Sequence, residues 1–237
     1  MAKAELLNTL RNRLNVSADD LTRKQAVESR LSQHLPNTIP KRCLQSHEAL
    51  VDLFQSKIES ANATVKRIDS VENIVDAISD YLGPGQHDIC VTIAHDLRGP
   101  ALLETGLQET GFKKPAFQEL DFSKNSELTI KPWSPKMSLS VCVSDCLGAV
   151  AETGSLVVSS SNTMPLSFNF LGEAHIVLLR AELIVGAYED IWSQVRESLP
   201  RDITLVSGPS CTGDIEMIME LGAHGPKNLH VIIIGSD

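Results

Sequence analysis

The side chains best placed for ligand chemistry lie between Ile203 and Ile234. Ser210 and Thr212 stand in the sequence SGPSCTGD, and His224 stands in the sequence GAHGP. Hydroxyl groups and the free backbone N–H groups of a first helical turn can together receive an anion. Ser210, Thr212 and His224 are therefore candidate ligand contacts.

Two nucleotide-binding motifs are excluded for this stretch. No Gly-Lys-Ser/Thr follows the glycines, so a P-loop with its phosphate-gripping lysine is absent, and the GxGxxG spacing of a dinucleotide fingerprint is missing. A structural alternative stays open, because Asp214 and Glu216 would complement the dipole of a following helix. On that interpretation the segment is a capped strand–helix turn that contacts no ligand.

Three elements must position these residues. The patterns predict a strand at Ile203–Ser207, a helix near Asp214–Leu221 and a strand at Leu229–Ile234. In a parallel sheet, Ser210 then follows the carboxyl end of a strand, where α/β folds bind ligands. The loop with His224 falls at the opposite edge, which argues against one shared pocket.

The wider pattern predicts an α/β fold. From Thr64, β-branched runs such as TVKRI, DICVTIA and SLSVCVSD alternate with helical segments. Such alternation indicates βαβ units around a mostly parallel sheet that is covered on both faces. Two strand-like pieces between Gly154 and Arg180 have no helix between them, so we expect an antiparallel pair and a mixed sheet. Residues 1–62 read as an amino-terminal helical arm, and residues 63–237 as the α/β domain.

Composition excludes several classes of partner. The net charge of −9 and the scattered basic residues argue against nucleic acid or an anionic membrane as partner. Five irregularly spaced cysteines are atypical of a secreted disulfide framework and favour a reducing cytoplasm. We also expect no signal peptide and no membrane span, since no apolar run is long enough.

Three segments, in this order and spacing, carry a family resemblance. They are AETGSLVV, then HIVLL followed by IV, then GPSCTGDIE with LGAHGPKNLHVII. Together they resemble the LUD domain, and within it the lactate utilization protein C group, also called the YkgG family. The resemblance covers residues 140–234 most closely.

The resemblance implies a fold and a process. The fold would be a three-layer α/β sandwich like those of ribose-5-phosphate isomerase, glucosamine-6-phosphate deaminase and CoA transferases. The process would be a bacterial three-component system that oxidises L-lactate to pyruvate, with iron–sulfur clusters in two partner subunits. No cofactor is expected in this chain, because Cys142 and Cys146 alone cannot supply the four thiolates of a cluster.

Two arginines of the family pattern are missing here. Cys211 stands where the family has arginine, and the segment PLSFNFLGEA just before His175 contains no arginine. Each guanidinium would have clamped a carboxylate or a phosphate. We expect His175, at the start of a strand, to pair with a carboxylate such as Glu173.

The resemblance adds Glu152, Thr153 and Gly154 as candidate site residues and leaves three functions open. In the first, the chain is a non-redox subunit that binds the iron–sulfur proteins and a small carboxylate or phosphorylated ligand. Alternatively, it is a stand-alone enzyme of the isomerase or CoA-transferase type with Glu152 as nucleophile or general base. The third option is a scaffold or regulatory protein that lost the chemistry. Homo-oligomerisation is compatible with all three.

Overall fold

The computed structural model describes residues 3–17, 20–34, 38–92, 125–130, 139–160, 165–196, 199–213, 219–222 and 225–235. The chain divides into two compact units, Met1–Thr38 and Ile39–Asp237. The first unit holds two helices, α1 at Lys3–Arg13 and α2 at Leu21–Gln33. Both were predicted, and neither has a buried residue.

The described helices of the second unit are α3 at His47–Ser60, α4 at Ile74–Leu82 and α5 at Tyr188–Val195. The hydroxyl of Ser46 caps α3 by accepting the N–H of Ala49. All three confirm predicted helices. No helix within the described residues is both long and apolar enough to cross a membrane.

A six-stranded sheet forms the centre of the second unit. Its strands are β1 at Thr64–Ile68, β2 at His87–Thr92, β3 at Leu128–Ile130, β4 at Leu139–Asp145, β7 at Gly172–Arg180 and β12 at Asn228–Ile234. Their order is β1–β12–β7–β4–β2–β3, and all neighbours are parallel. β7 and β12 lie inside the sheet, where near-continuous apolar sequence is expected because both faces are covered.

A second sheet contains the antiparallel strands. It comprises β5 at Gly148–Val150, β6 at Ser155–Ser159, β8 at Ile184–Val185 and β9 at Ile203–Val206. The order is β8–β5–β6–β9, in which β6 is antiparallel to both neighbours. The antiparallel pairing expected in one mixed sheet is therefore found in a separate sheet, and β6 does not pair with β7.

The predicted helix near Asp214–Leu221 is wrong where the structure describes it. Met219–Leu221 forms β11, which pairs antiparallel with β10 at Cys211–Gly213, and residues 214–218 lie outside the described residues. Short apolar runs cannot be assigned to helix or strand by periodicity alone. The sequence also predicted that the strands at Ile203–Ser207 and Leu229–Ile234 belong to one parallel sheet. That prediction is wrong, because β9 and β12 belong to different sheets.

Helices cover both faces of the six-stranded sheet. α4 packs Ile74 and Ile78 on one face, against residues such as Ile176 of β7. On the other face, Phe54 and Ile58 of α3 pack together with the inner side of the second sheet. Ile191 of α5 packs on the outer side of that sheet. The predicted α/β sandwich is confirmed, and α3, which the sequence assigned to the arm, belongs to the second unit.

We expect Phe54→Ala to lower the free energy of unfolding by about 3–5 kcal/mol, since Phe54 is fully buried and its removal leaves a cavity. Urea denaturation measures the change. Leu44→Ala is the control, because Leu44 is 70% exposed and its truncation should cost less than about 0.5 kcal/mol. Equal losses for both variants would contradict the described core.

Candidate functional site

A cavity of about 270 Å³ lies beside the Gly208–Ser210 bend. Its wall consists of residues 204–210, Asn169, Phe170, His175, Pro226 and Leu229. Phe170 lies two residues before the start of β7 and Pro226 two residues before the start of β12, so the cavity lies at the amino-terminal ends of these strands. The sequence placed the bend at the carboxyl ends of a parallel sheet, which is wrong because β9 is not part of that sheet. The volume is near the lower end of ligand pockets, about 300 Å³.

Backbone hydrogen bonds hold the bend in place. The N–H of Ser210 donates to the carbonyl of Pro226 at 2.9 Å, and the N–H of Gly222 donates to the carbonyl of Ser210 at 2.8 Å. Gly208 has φ +134° and lies against the end of α3, where an added Cβ would be 2.6 Å from the carbonyl oxygen of Ala61. Ser210 and Pro226 line one cavity, so the expectation that the two loops form separate sites is wrong.

His175 is the buried ring in the cavity wall. It is the fourth residue of β7, is 1% exposed, and its Nε2 lies 2.8 Å from Ser144 Oγ on β4. Burial lowers the pKa of His175 to about 4, so the imidazole is neutral at physiological pH. The expected pairing with Glu173 is wrong, because the ring contacts Ser144 instead, and Glu173 is exposed while His175 is buried.

Four hydroxyl groups cluster beside the cavity. Ser155 Oγ, which is fully buried, lies 2.6 Å from Ser207 Oγ, 2.7 Å from Thr153 Oγ1 and 3.1 Å from the hydroxyl of Tyr188. The Tyr188 hydroxyl also lies 2.9 Å from Thr153 Oγ1. Ser207 belongs to both the cluster and the cavity wall. The candidate residue Thr153 is thus connected to the cavity through Ser155 and Ser207.

Gly154 has a packing role in the structure. Its φ is +64°, and an added Cβ would lie 2.6 Å from the backbone nitrogen of Ile58 in α3. Only glycine allows the turn after Glu152 to approach the helix this closely.

Glu152 lies outside the described wall of the cavity. Its Oε1 is 2.7 Å from Arg42 Nη2, and its side chain is 17% exposed. Burial and then the neighbouring Glu152 raise the pKa of the Cys43 thiol. The carboxylate is therefore engaged by a guanidinium, and its proposed catalytic role stays a prediction.

The other candidates divide as follows. Ser210 lines the cavity, Thr212 lies on β10 opposite Glu220, and His224 lies outside the described residues. Sequence reasoning did not select His175, Asn169 or Ser207 as site residues. For His175, the available signal was a polar residue at the start of an otherwise apolar, buried strand.

The described residues contain no group of three or more His, Cys, Asp or Glu side chains that could hold a metal ion. Four cysteines, Cys43, Cys90, Cys142 and Cys146, are buried, and Cys211 is exposed. Burial raises the pKa of Cys142 to about 12 and also raises that of Cys146. Buried thiols of this kind stay protonated and behave as small apolar side chains.

Comparison with known proteins identifies related chains. The LUD domain family model matches residues 51–234. A lactate utilization protein C from Deinococcus radiodurans is 33% identical over 95 residues, which are 38% of this chain and 44% of the relative. The protein YkgG from Escherichia coli is 32% identical over 91 residues, 36% of this chain and 39% of that one. The aligned part thus spans less than half of these relatives.

One relative aligns over nearly its whole length. A lactate utilization protein C from Halalkalibacterium halodurans is 23% identical over 241 residues, covering 98% of this chain and 94% of the relative. Among solved structures, a DUF162 family protein from Deinococcus radiodurans superposes with a TM-score of 0.53 at 18% identity. That superposition covers 81% of this chain and 99% of the other, and supports the fold.

Gly154→Ala should lower the free energy of unfolding by roughly 3 kcal/mol. The positive φ is unfavourable for alanine, and the added Cβ would clash with α3. Gly235→Ala is the matched control: Gly235 has φ +71° but no atom within 4 Å of the added Cβ. The free energy of unfolding of Gly235→Ala should fall by only about 1–2 kcal/mol. Urea titration of both variants gives the difference, and equal losses would contradict the close contact with α3.

The buried histidines predict a loss of stability in acid. The pKa values of His175 and His230 are lowered from 6.5 to about 4, mainly by burial. Between these values the unfolded chain binds protons that the folded chain does not, so the free energy of unfolding falls as pH drops from 6.5 towards 4. His175→Gln should remove up to about 3 kcal/mol of this pH-dependent loss.

The measurement is urea denaturation across that pH range for the wild type and the variant. The slope against pH is compared, not the absolute stability, because the substitution also changes packing. A variant with the wild-type slope would show that the pKa of His175 is the same in the folded and the unfolded protein, which would contradict the effect of burial.

Proposed function

This chain belongs to the LUD domain family, and we propose that it is a non-redox component of a system that oxidises L-lactate to pyruvate. The observation that carries the proposal is the family match over residues 51–234, together with relatives named lactate utilization protein C. In this role the chain works with partner proteins that hold the iron–sulfur clusters. Its cavity takes a short hydroxy or keto acid.

The state of the thiols supports a non-redox role. Cluster iron is held by deprotonated thiolates. Within the described residues, Cys142 and Cys146 belong to no group of three or more His, Cys, Asp or Glu side chains that could hold a metal ion. Electron transfer is therefore assigned to the partners.

The polar groups of the cavity support a small ligand. Hydroxyls of Ser207 and Ser210, the side chain of Asn169 and the ring of His175 line a space otherwise bounded by apolar residues such as Leu229. A few convergent polar groups in an apolar pocket are typical of small-molecule sites. The hydroxyl and carboxyl groups of a short acid match these neutral donors and acceptors.

A stand-alone enzyme that uses Glu152 has less support. Its carboxylate bonds to Arg42 at 2.7 Å, and its side chain is outside the described cavity wall. A nucleophile or general base must reach the reacting atoms of the substrate.

Deletion of the gene should abolish growth on L-lactate and leave growth on succinate unchanged. The wild-type chain should restore growth on lactate, and so should Leu44→Ala, which alters an exposed side chain. Ser210→Trp should fail to restore growth, because the indole would fill the cavity. Melting temperatures of the purified variants check that each chain folds.

Affinity purification from lactate-grown cells provides the second measurement. We expect iron–sulfur proteins to co-purify with the tagged wild-type chain. Normal growth of the deletion strain on L-lactate would contradict the proposal, whatever co-purifies.

A further inference from the structure

Two buried polar side chains meet behind the wall of the cavity. His175 lines the cavity from β7, and Ser144 reaches it from the neighbouring strand β4. Ser144 is 5% exposed and His175 is 1% exposed, and the Oγ to Nε2 distance is 2.8 Å. Buried polar groups in such a position are costly unless they are hydrogen-bonded, so Ser144 fixes one nitrogen of the ring.

We propose that His175, held by Ser144, is the residue that binds an oxygen atom of the ligand in this cavity. The class of ligand, a short hydroxy or keto acid, rests on the proposed function. The assignment of His175 rests on the geometry alone. Ser144 engages Nε2 and leaves Nδ1 as the ring nitrogen for the ligand.

The hydrogen-bonding pattern follows from the ligand. A hydroxy or keto acid is rich in acceptor oxygens, so the useful tautomer carries its proton on Nδ1. Nε2 then has a lone pair and accepts the hydroxyl proton of Ser144. Ser144 is thus a positioning residue, since it fixes the ring orientation without contacting the ligand. Its hydroxyl can donate or accept, so the acceptor oxygen of the ligand selects the tautomer.

His175 acts here as a neutral donor. Burial lowers the pKa of His175 to about 4, so the ring is uncharged at physiological pH before the acid binds. Recognition by neutral donors fits a cavity whose other polar groups are hydroxyls and the Asn169 amide.

The other buried histidine provides a matched control. His230 on β12 is 5% exposed, and its pKa is also lowered to about 4. Its ring stacks on Tyr81 at 4.0 Å, and its Nδ1 lies 2.7 Å from Thr64 Oγ1. It is outside the described cavity wall, so its substitution tests the general cost of losing a buried imidazole.

Calorimetry on the full chain with L-lactate and with pyruvate tests the assignment. His175→Gln keeps a polar group near the Nε2 position and removes Nδ1, so binding of at least one acid should weaken about tenfold or more. His175→Asn places its amide near the Nδ1 position and should retain more of the affinity. His230→Gln should bind within about twofold of the wild type.

Nitrogen NMR of labelled histidine gives a readout that a purely structural role would not move. In the acid-bound wild type, Nδ1 of His175 should carry the proton, and its resonance should shift when the acid is added. Ser144→Ala should release the ring from its fixed orientation, weaken binding and reduce this shift. Ser144→Thr, which keeps the hydroxyl, should restore both the binding and the shift.

Two results would overturn the assignment. One is wild-type affinity for both acids in folded His175→Gln. The other is a wild-type chain that binds neither acid. If growth on lactate still depends on the chain in that second case, the proposed role in lactate oxidation stands, whereas the ligand class and the assignment of His175 fail.

Discussion

The structure depends on the burial of β7 and β12 on both faces. These neighbouring strands lie inside the six-stranded sheet, and nearly all of their residues are buried. Each must therefore receive cover from two sides, by α4 on one face and by α3 with the second sheet on the other. Parallel strands tolerate this because their apolar side chains alternate between two cores. The cavity lies where these strands begin and that cover ends.

Close backbone approaches attach the second sheet and its loops to α3. Gly154 lies against Ile58, and Gly208 lies against Ala61 at the end of the same helix. The two glycines stand at the Thr-Gly turn and at the Gly-Pro-Ser bend, which are parts of the family-like segments. The packing of α3 therefore sets the positions of both segments, and through them the position of Ser207 and Ser210 in the cavity wall.

Several buried polar groups line or adjoin the cavity. Ser155 has three hydroxyl neighbours, and His175 has Ser144. In a low-dielectric interior, satisfied networks of this kind hold side chains in one arrangement, whereas an unpaired group is costly. A cavity lined by such fixed groups can present hydrogen bonds to a small ligand without reorganising.

The sequence by itself determined the strands and helices with strong local patterns, the α/β class and the family, because periodicity and ordered motifs are local. It also placed Ser210 in a bend, and that bend lines the cavity. Other features were decided only by the tertiary structure. β9 and β12 belong to different sheets, and Met219–Leu221 forms a strand. Glu152 pairs with Arg42, and Ser144 contacts His175. These outcomes depend on contacts between distant residues, up to 110 apart for Arg42 and Glu152, and local patterns do not encode such contacts.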